Sequence, residues 1–244
     1  MEKTITDGIY IISDFLSNIN LEDFQNLPWC EMTINNKVLQ RRGCFMGTRD
    51  LDKVVPWLRC PSIENQTIHE KCDLVLNLEK YIEKLGYNTN IYKIQEYRNG
   101  QDTIYPHSDK IIDLDENTPI FIARFGATRT MILINKITKE ELMVPVPHNS
   151  LVVISYQANK LWKHGIIVDN DIQDPSYSIV ARKSVTFTFN ESSFVHGDRV
   201  LVKDPVWSRE QQKTEMVRCF NQENNGIHDV SLYKNIIDHC IYKY

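Results

Sequence analysis

The chain has 244 residues, with 42% hydrophobic and 25% charged side chains and a formal net charge of −4. Those values suit one large folded body with a sizeable core and exclude a disordered, fibrous or collagen-like chain. The slightly acidic balance argues against a protein that wraps nucleic acid through global charge, although it leaves room for a local basic patch.

Taken in order, the N-terminus Met1-Glu2-Lys3-Thr4 leads into no long apolar stretch, and no run approaches the ~18 apolar residues of a membrane span. The expectation is a soluble intracellular protein, cytoplasmic or nuclear, neither secreted nor membrane-bound, and monomeric. Six cysteines (Cys30, Cys44, Cys60, Cys72, Cys219, Cys240) form no Cys-x-x-Cys pair and read as reduced thiols, most of them in the core. Residues 72–85 place Val75, Leu78, Ile82 and Leu85 at spacings of three and four ahead of Gly86, which predicts an amphipathic helix ending at a glycine. From there the pattern shifts to short β-branched and aromatic runs at 91–97, 120–125, 130–135, 142–146, 150–156 and 179–189, each predicting a strand. Helical material followed by six short strands predicts an α+β protein. Its core would be a double-stranded β-helix, or jelly roll, buttressed by N-terminal helices. Residues 191–226 read as polar and irregular, and 229–242 as a short helix using Val230, Tyr233, Ile237 and Cys240. The expected division is 1–90 as an N-terminal helical and strand region, 91–190 as the catalytic core, and 191–244 as an accessory segment packed on the same domain.

His107-Ser108-Asp109 puts two metal-capable side chains at i and i+2, on one face of an extended segment. His164, in Leu161-Trp162-Lys163-His164-Gly165, follows after enough chain for several strands to return to the first pair. Two histidines and one carboxylate leave three adjacent positions open on an iron(II) ion, two for a chelating oxoacid and one for dioxygen. His196-Gly197-Asp198 repeats the short pattern in a poorly patterned region and reads as loop residues. On the predicted strand 179–189, Arg182, Ser184, Thr186 and Thr188 alternate with Val185, Phe187 and Phe189, which aims Arg182 into an apolar cavity. A buried guanidinium needs an anion, and the distal carboxylate of the oxoacid is a bidentate match.

In order along residues 40–190, several segments resemble the AlkB-like 2-oxoglutarate and Fe(II)-dependent dioxygenases. Gln95-Glu96-Tyr97-Arg98-Asn99-Gly100 looks like the family's Asn-x-Tyr-x-x-Gly strand and turn, with Gln95 in place of the asparagine. Pro106-His107-Ser108-Asp109 looks like its first metal motif. Arg124-Phe125-Gly126-Ala127-Thr128-Arg129 is similar to its Phe-Gly-Ala-x-Arg segment, and Ser150-Leu151-Val152-Val153 with Trp162-Lys163-His164 to a strand and the second metal motif. The resemblance implies Fe(II) held by His107, Asp109 and His164, and 2-oxoglutarate contacted by Tyr97, Gln95 and Arg182. The implied reaction couples oxidative decarboxylation to succinate with hydroxylation of a nearby C–H, and an N-methyl group treated this way leaves as formaldehyde.

Two departures stand out. The family's Arg-x5-Arg pattern, begun at Arg182, ends on Thr188, which would have to stand in for the second arginine near the metal end of the oxoacid. The acid that nucleic-acid repair members carry two residues after the metal aspartate is Ile111 here. For substrate, Lys37 to Arg59 interleaves Arg41, Arg42, Arg49, Lys53 and Arg59 with Phe45, Met46 and Trp57, a mixture able to grip a nucleotide strand, or equally a solvated surface over a buried Trp. Arg41-Arg42-Gly43-Cys44-Phe45-Met46-Gly47 also resembles the start of the family's substrate lid. Arg41, Arg42, Phe45 and Arg129 are the candidate substrate residues. Methylated DNA or RNA is the implied partner, with a protein or small-molecule hydroxylase or demethylase, an inactive jelly-roll binding module, and a cupin-like protein using another metal as alternatives.

Overall fold

The computed structural model describes residues 1–17, 19–34, 37–48, 55–58, 67–189, 193–197, 199–201 and 207–239. Its elements begin with β1 (Glu2–Thr6), β2 (Ile9–Ser13), a 3-10 turn (Leu21–Phe24), β3 (Cys30–Ile34), β4 (Lys37–Gly47), β5 (Val55–Trp57), β6 (Ile68–His69) and α1 (Asp73–Lys84). There follow β7 (Ile91–Tyr97), β8 (Ile104–His107), β9 (Ile120–Gly126), β10 (Arg129–Asn135), β11 (Glu141–Val146) and β12 (Ser150–Ile154). The rest comprises α2 (Tyr156–Leu161), β13 (Trp162–Ile166), β14 (Ser176–Arg182), β15 (Thr186–Phe189), β16 (Ser193–His196), β17 (Arg199–Leu201), α3 (Arg209–Asn224) and α4 (Val230–His239).

Among the described residues the strands form three sheets. The main sheet runs β1-β2-β12-β9-β14-β7-β4-β3, with β6 beside β4; a second runs β11-β10-β13-β8, and a third β17-β16-β15-β5. Alternation along each strand divides the main sheet into two faces. Tyr92, Ile94, Phe121, Ala123, Ile179 and Ala181 pack under Leu74, Val75, Leu78 and Ile82 of α1. The opposite face, with Tyr97, Ile122, Val152 and Val180, packs on Met131, Leu133, Trp162 and Ile166 of the second sheet. The metal-capable residues therefore lie on the side of the main sheet away from α1.

The helix expected at 72–85 forms as α1, and Gly86 beyond it takes a φ of 88°, the left-handed conformation a helix-ending glycine supplies. Helices are scarcer before residue 90 than expected. The described part of that region holds one α-helix, while β1–β4 and β6 extend the main sheet. Ile9-Tyr10-Ile11-Ile12 is the visible cause, a β-branched run that pairs with β12.

The expected strand 179–189 is two strands. β14 ends at Arg182; Ser184 N–H then donates to Asn90 Oδ1 and Val185 N–H to the Asp113 carbonyl, and the chain turns into the third sheet as β15. The expected strand 150–156 stops at Ile154 because Ser155 caps α2, its side chain accepting from the Ala158 amide. α3 replaces part of the irregular region, started by a capping box between Ser208 and Gln211. α4 buries Leu232 and Ile236, leaving Val230 exposed; Cys240 lies outside the described residues. Of the cysteines, Cys44 and Cys219 are buried, Cys72 is half-buried and Cys30 is exposed, while Cys60 lies outside the described residues.

Candidate metal and oxoacid site

His107 closes β8 and His164 sits in the middle of β13, directly opposite it in the antiparallel register. Their rings meet with centroids 4.7 Å apart. Asp109 comes two residues past the strand end, its Oδ1 3.8 Å from His107 Nε2. One ligand atom from each of the three residues falls within 4.8 Å of the other two, close enough for a single ion.

The protonation states suit a metal. His107 Nδ1 faces the Tyr105 carbonyl at 2.9 Å and, as the N–H tautomer, donates to it, which frees Nε2 for a metal. Burial and the adjacent imidazole hold His107 well below the usual imidazole range, and burial does the same for His164, so both are neutral ligands at neutral pH. Burial alone would raise the Asp109 carboxyl. The Arg182 guanidinium beside it and the two histidines outweigh that and hold it well below the ordinary carboxylate range. Two neutral imidazoles and an ionised carboxylate form the donor set that Fe(II) takes in a facial triad.

Several residues outside the sequence motifs hold this set in place. Asn159 of α2 grips the Asp109 backbone from both sides, accepting from its amide and donating to its carbonyl, at 2.9 Å each. Asn224 at the end of α3 accepts from the Ser108 amide. Lys136 Nζ reaches Ser108 Oγ and the carbonyls of Asn159 and Glu223, and Glu223 Oε1 accepts from the Ile111 amide. The segment 107–111 is thus clamped between α2 and the end of α3. Lone polar residues on helices gave no sequence signal for this.

Arg182 has a protein partner that its position in the sequence did not suggest. Its Nε donates to Asp109 Oδ2 at 2.7 Å. Tyr97 and Gln95 are buried on the inner face of β7. Thr188 lies on β15 in the third sheet, opposite Val55 and Phe194, because the strand that was expected to carry it beside Arg182 is broken at 183–185. His196 is a strand residue, not a loop residue: its Nδ1 meets Thr186 Oγ1, which in turn bonds buried Asp113. Asp198 lies outside the described residues.

The candidate substrate residues scatter. Arg129 is buried and donates to the carbonyls of Asn99, Gly100, Asp102 and Ile167, stapling the turn after β7 to the end of β13. That turn comes so close to Asp169 that a Cβ on Gly100 would overlap the Asp169 carbonyl. Phe45 is buried with Ile68 and Ile91. Arg41 is buried and donates to the Thr103 carbonyl. Arg42 is 42% exposed but pairs with Glu96 at 2.6 Å over Trp29, on the α1 side of the main sheet and so away from the metal residues. Arg49, Lys53 and Arg59 lie outside the described residues.

The comparisons with known proteins agree with this geometry. Residues 9–192, more than half of the chain, match the family model described as the 2OG-Fe(II) oxygenase superfamily. The DNA oxidative demethylase ALKBH2 of Bos taurus is 27% identical over 111 residues, covering 42% of this chain and 40% of that protein. Its Homo sapiens counterpart is 26% identical over 106 residues, covering 40% of this chain and 41% of that protein. The chain thus spans about two fifths of the length of the curated relatives it matches. In fold, a solved structure titled "The structure of OsALKBH1" superposes with a TM-score of 0.55 at 11% identity, over 75% of this chain and all of that one. His107, Asp109 and His164 gather inside the matched segment with the donor chemistry that Fe(II) takes, and the chain belongs to the 2OG-Fe(II) oxygenase superfamily.

Proposed function

We propose that this dioxygenase oxidatively dealkylates alkylated nucleic acid, within a jelly-roll core formed by the inner face of the main sheet and the second sheet. The observation that carries the reading is the His107, Asp109, His164 cluster inside a segment similar to DNA oxidative demethylases. Fe(II) and 2-oxoglutarate, when bound, supply the oxidation of a substrate C–H. His107 and His164 would present neutral nitrogens and Asp109 its carboxylate, with Arg182 and Asn159 fixing the carboxylate's direction. Tyr105 is the accessible aromatic beside this set: it lies two residues before His107 on the same edge strand and is 88% exposed, placed to stack on a base that approaches the metal.

A second reading, oxidation of a protein or small molecule, draws on the arginines. Among the described residues of the expected nucleotide-gripping stretch, Arg41 is buried and Arg42 is paired on the far face, so neither presents exposed charge on the metal side. Succinate and formaldehyde release from Fe(II)-loaded protein decides between the two, with methylated single-stranded DNA, methylated RNA and methylated peptide pools supplied separately. Formaldehyde with a nucleic-acid pool alone is the expected result. Formaldehyde with peptides alone would replace the first reading by the second.

A further inference from the structure

Position 176 poses a question of charge. Arg182, the arginine expected to meet the distal carboxylate of the oxoacid, spends its Nε on the metal-ligand carboxylate of Asp109. Six residues earlier on the same face of β14 stands Ser176, which is neutral. The inner face nevertheless holds an uncompensated cation next to it. Arg124 on β9 is 2% exposed, faces the Tyr97 ring at 4.9 Å and hydrogen-bonds that side chain, and reaches Ser176 Oγ from Nη2 at 3.4 Å. Among the described residues no carboxylate lies within ion-pair distance of it.

The neighbouring polar groups are likewise unmet. Gln95, Ser178 and Arg124 occupy one cross-strand row, Gln95 opposite Ser178 and Ser178 opposite Arg124. Gln95 Nε2, Ser178 Oγ and the Nε atoms of Arg124, Arg129 and Arg41 are all buried without a hydrogen-bond partner. Arg129 spends both Nη atoms, and Arg41 its Nη1, on backbone carbonyls. Arg124 does not, and burial pushes its guanidinium down to about 10. A buried charge surrounded by unmet donors is costly, and an anion that completes it offsets that cost. Ser178 stands four residues before Arg182 on the same face of β14, about 13 Å at strand rise. A span of that order, less the reach of an arginine side chain, is one that a short dicarboxylate held at the metal could bridge.

We infer that Arg124 is the anchor for the distal carboxylate of 2-oxoglutarate in this chain, with Tyr97, Gln95, Ser176 and Ser178 around it. The anchoring arginine would thus sit one strand over from the position Ser176 fills. The inference rests on the dioxygenase reading of the metal site. It adds a residue that neither the motifs nor the spacing singled out for this role.

The test measures binding, without turnover. Zn(II)-loaded protein is titrated calorimetrically with 2-oxoglutarate and with 2-oxobutyrate, which has the same chain less the distal carboxylate. Wild type should prefer 2-oxoglutarate. Arg124→Met should lose about thirty-fold or more in 2-oxoglutarate affinity while binding zinc and 2-oxobutyrate as before, and the double variant Arg124→Met with Ser176→Arg should recover most of the loss. Undiminished 2-oxoglutarate affinity in Arg124→Met would overturn the assignment. Should that variant not fold, the wild type supplies the answer. The Arg124 Nε–H NMR signal, identified by its loss in Arg124→Lys, should shift with 2-oxoglutarate and stay in place with 2-oxobutyrate; no shift with either overturns the assignment. Zinc binding without any 2-oxoglutarate binding by wild type would overturn the dioxygenase reading itself, a different outcome from loss of preference in the variant.

Discussion

Arg182 Nε and Asp109 Oδ2 stand 2.7 Å apart, joining β14 of the main sheet to the metal-ligand carboxylate. Both groups are nearly inaccessible to solvent, so the pair holds Asp109 ionised and points its other oxygen toward His107.

Arg182→Met should therefore act mainly on the metal. Loss of a hydrogen-bonding partner behind a ligand commonly costs about 10- to 100-fold in metal affinity. Chelator competition with Zn(II) reads this directly, and the affinity for 2-oxobutyrate at saturating metal should change far less. Metal affinity equal to wild type would show that Asp109 is oriented by other contacts.

Asn159→Ala removes both side-chain bonds to the Asp109 backbone. A drop of about 2 kcal/mol in unfolding free energy is expected, because a buried amide and a buried carbonyl lose their partners. Zinc affinity should fall about ten-fold with it. Urea unfolding of metal-free protein and chelator competition measure the two effects separately, and a change in stability alone would make Asn159 a packing residue.

Glu223 gives the docking of α3 a pH dependence. Burial is the main cause that lifts its carboxyl from about 4.5 to about 7, against the pull of Lys110, the Ile111 amide, Tyr233 and Lys136. A raised acid contributes its stability fully below the unfolded value, and that contribution is lost as pH rises through the folded one. Between about pH 4.5 and 7 wild type should thus lose stability relative to Glu223→Gln, by roughly 3 kcal/mol at most. Chemical unfolding of both proteins at intervals across this window checks the difference. Parallel curves would remove Glu223 as the source.

Tyr105→Ala tests the stacking role. With a nucleic-acid substrate KM should rise about ten-fold, in line with the loss of one base–aromatic stack, while kcat and zinc affinity hold. Unchanged KM would mean that the exposed ring does not meet the substrate.

Much of this was legible in the sequence where chemistry and period coincide. The helix Asp73–Lys84 has a clean three-to-four-residue pattern, Ile91–Tyr97 is a short run rich in Ile and Tyr, and the first His-x-Asp pair stands out from the second by the motifs around it. α3 was not legible, because its buried stripe is Gln212, Met216, Cys219, Phe220 and Glu223, helical in spacing but polar at both ends. The Asp109 partner of Arg182 was not legible because it comes from another sheet, and nothing local to Lys183-Ser184-Val185 announces the turn that Asn90 stabilises from far away in the chain. Asn159, Lys136 and Arg124 act through positions brought together only by the sheets.

The placement of His107 has one more consequence. Among the described residues β8 is the last strand of the second sheet, with β13 on one side and no strand on the other, and its bond to β13 is the pairing of His107 with His164 and Ile104 with Ile166. A metal gripping both histidines is a crosslink across that seam, and at a hundred-fold excess over its dissociation constant it adds about 2.7 kcal/mol to a state that requires the seam closed. Iron would fasten the outermost strand of the sheet as well as serving the reaction, so losing it would loosen β8 before it disturbs the inner strands.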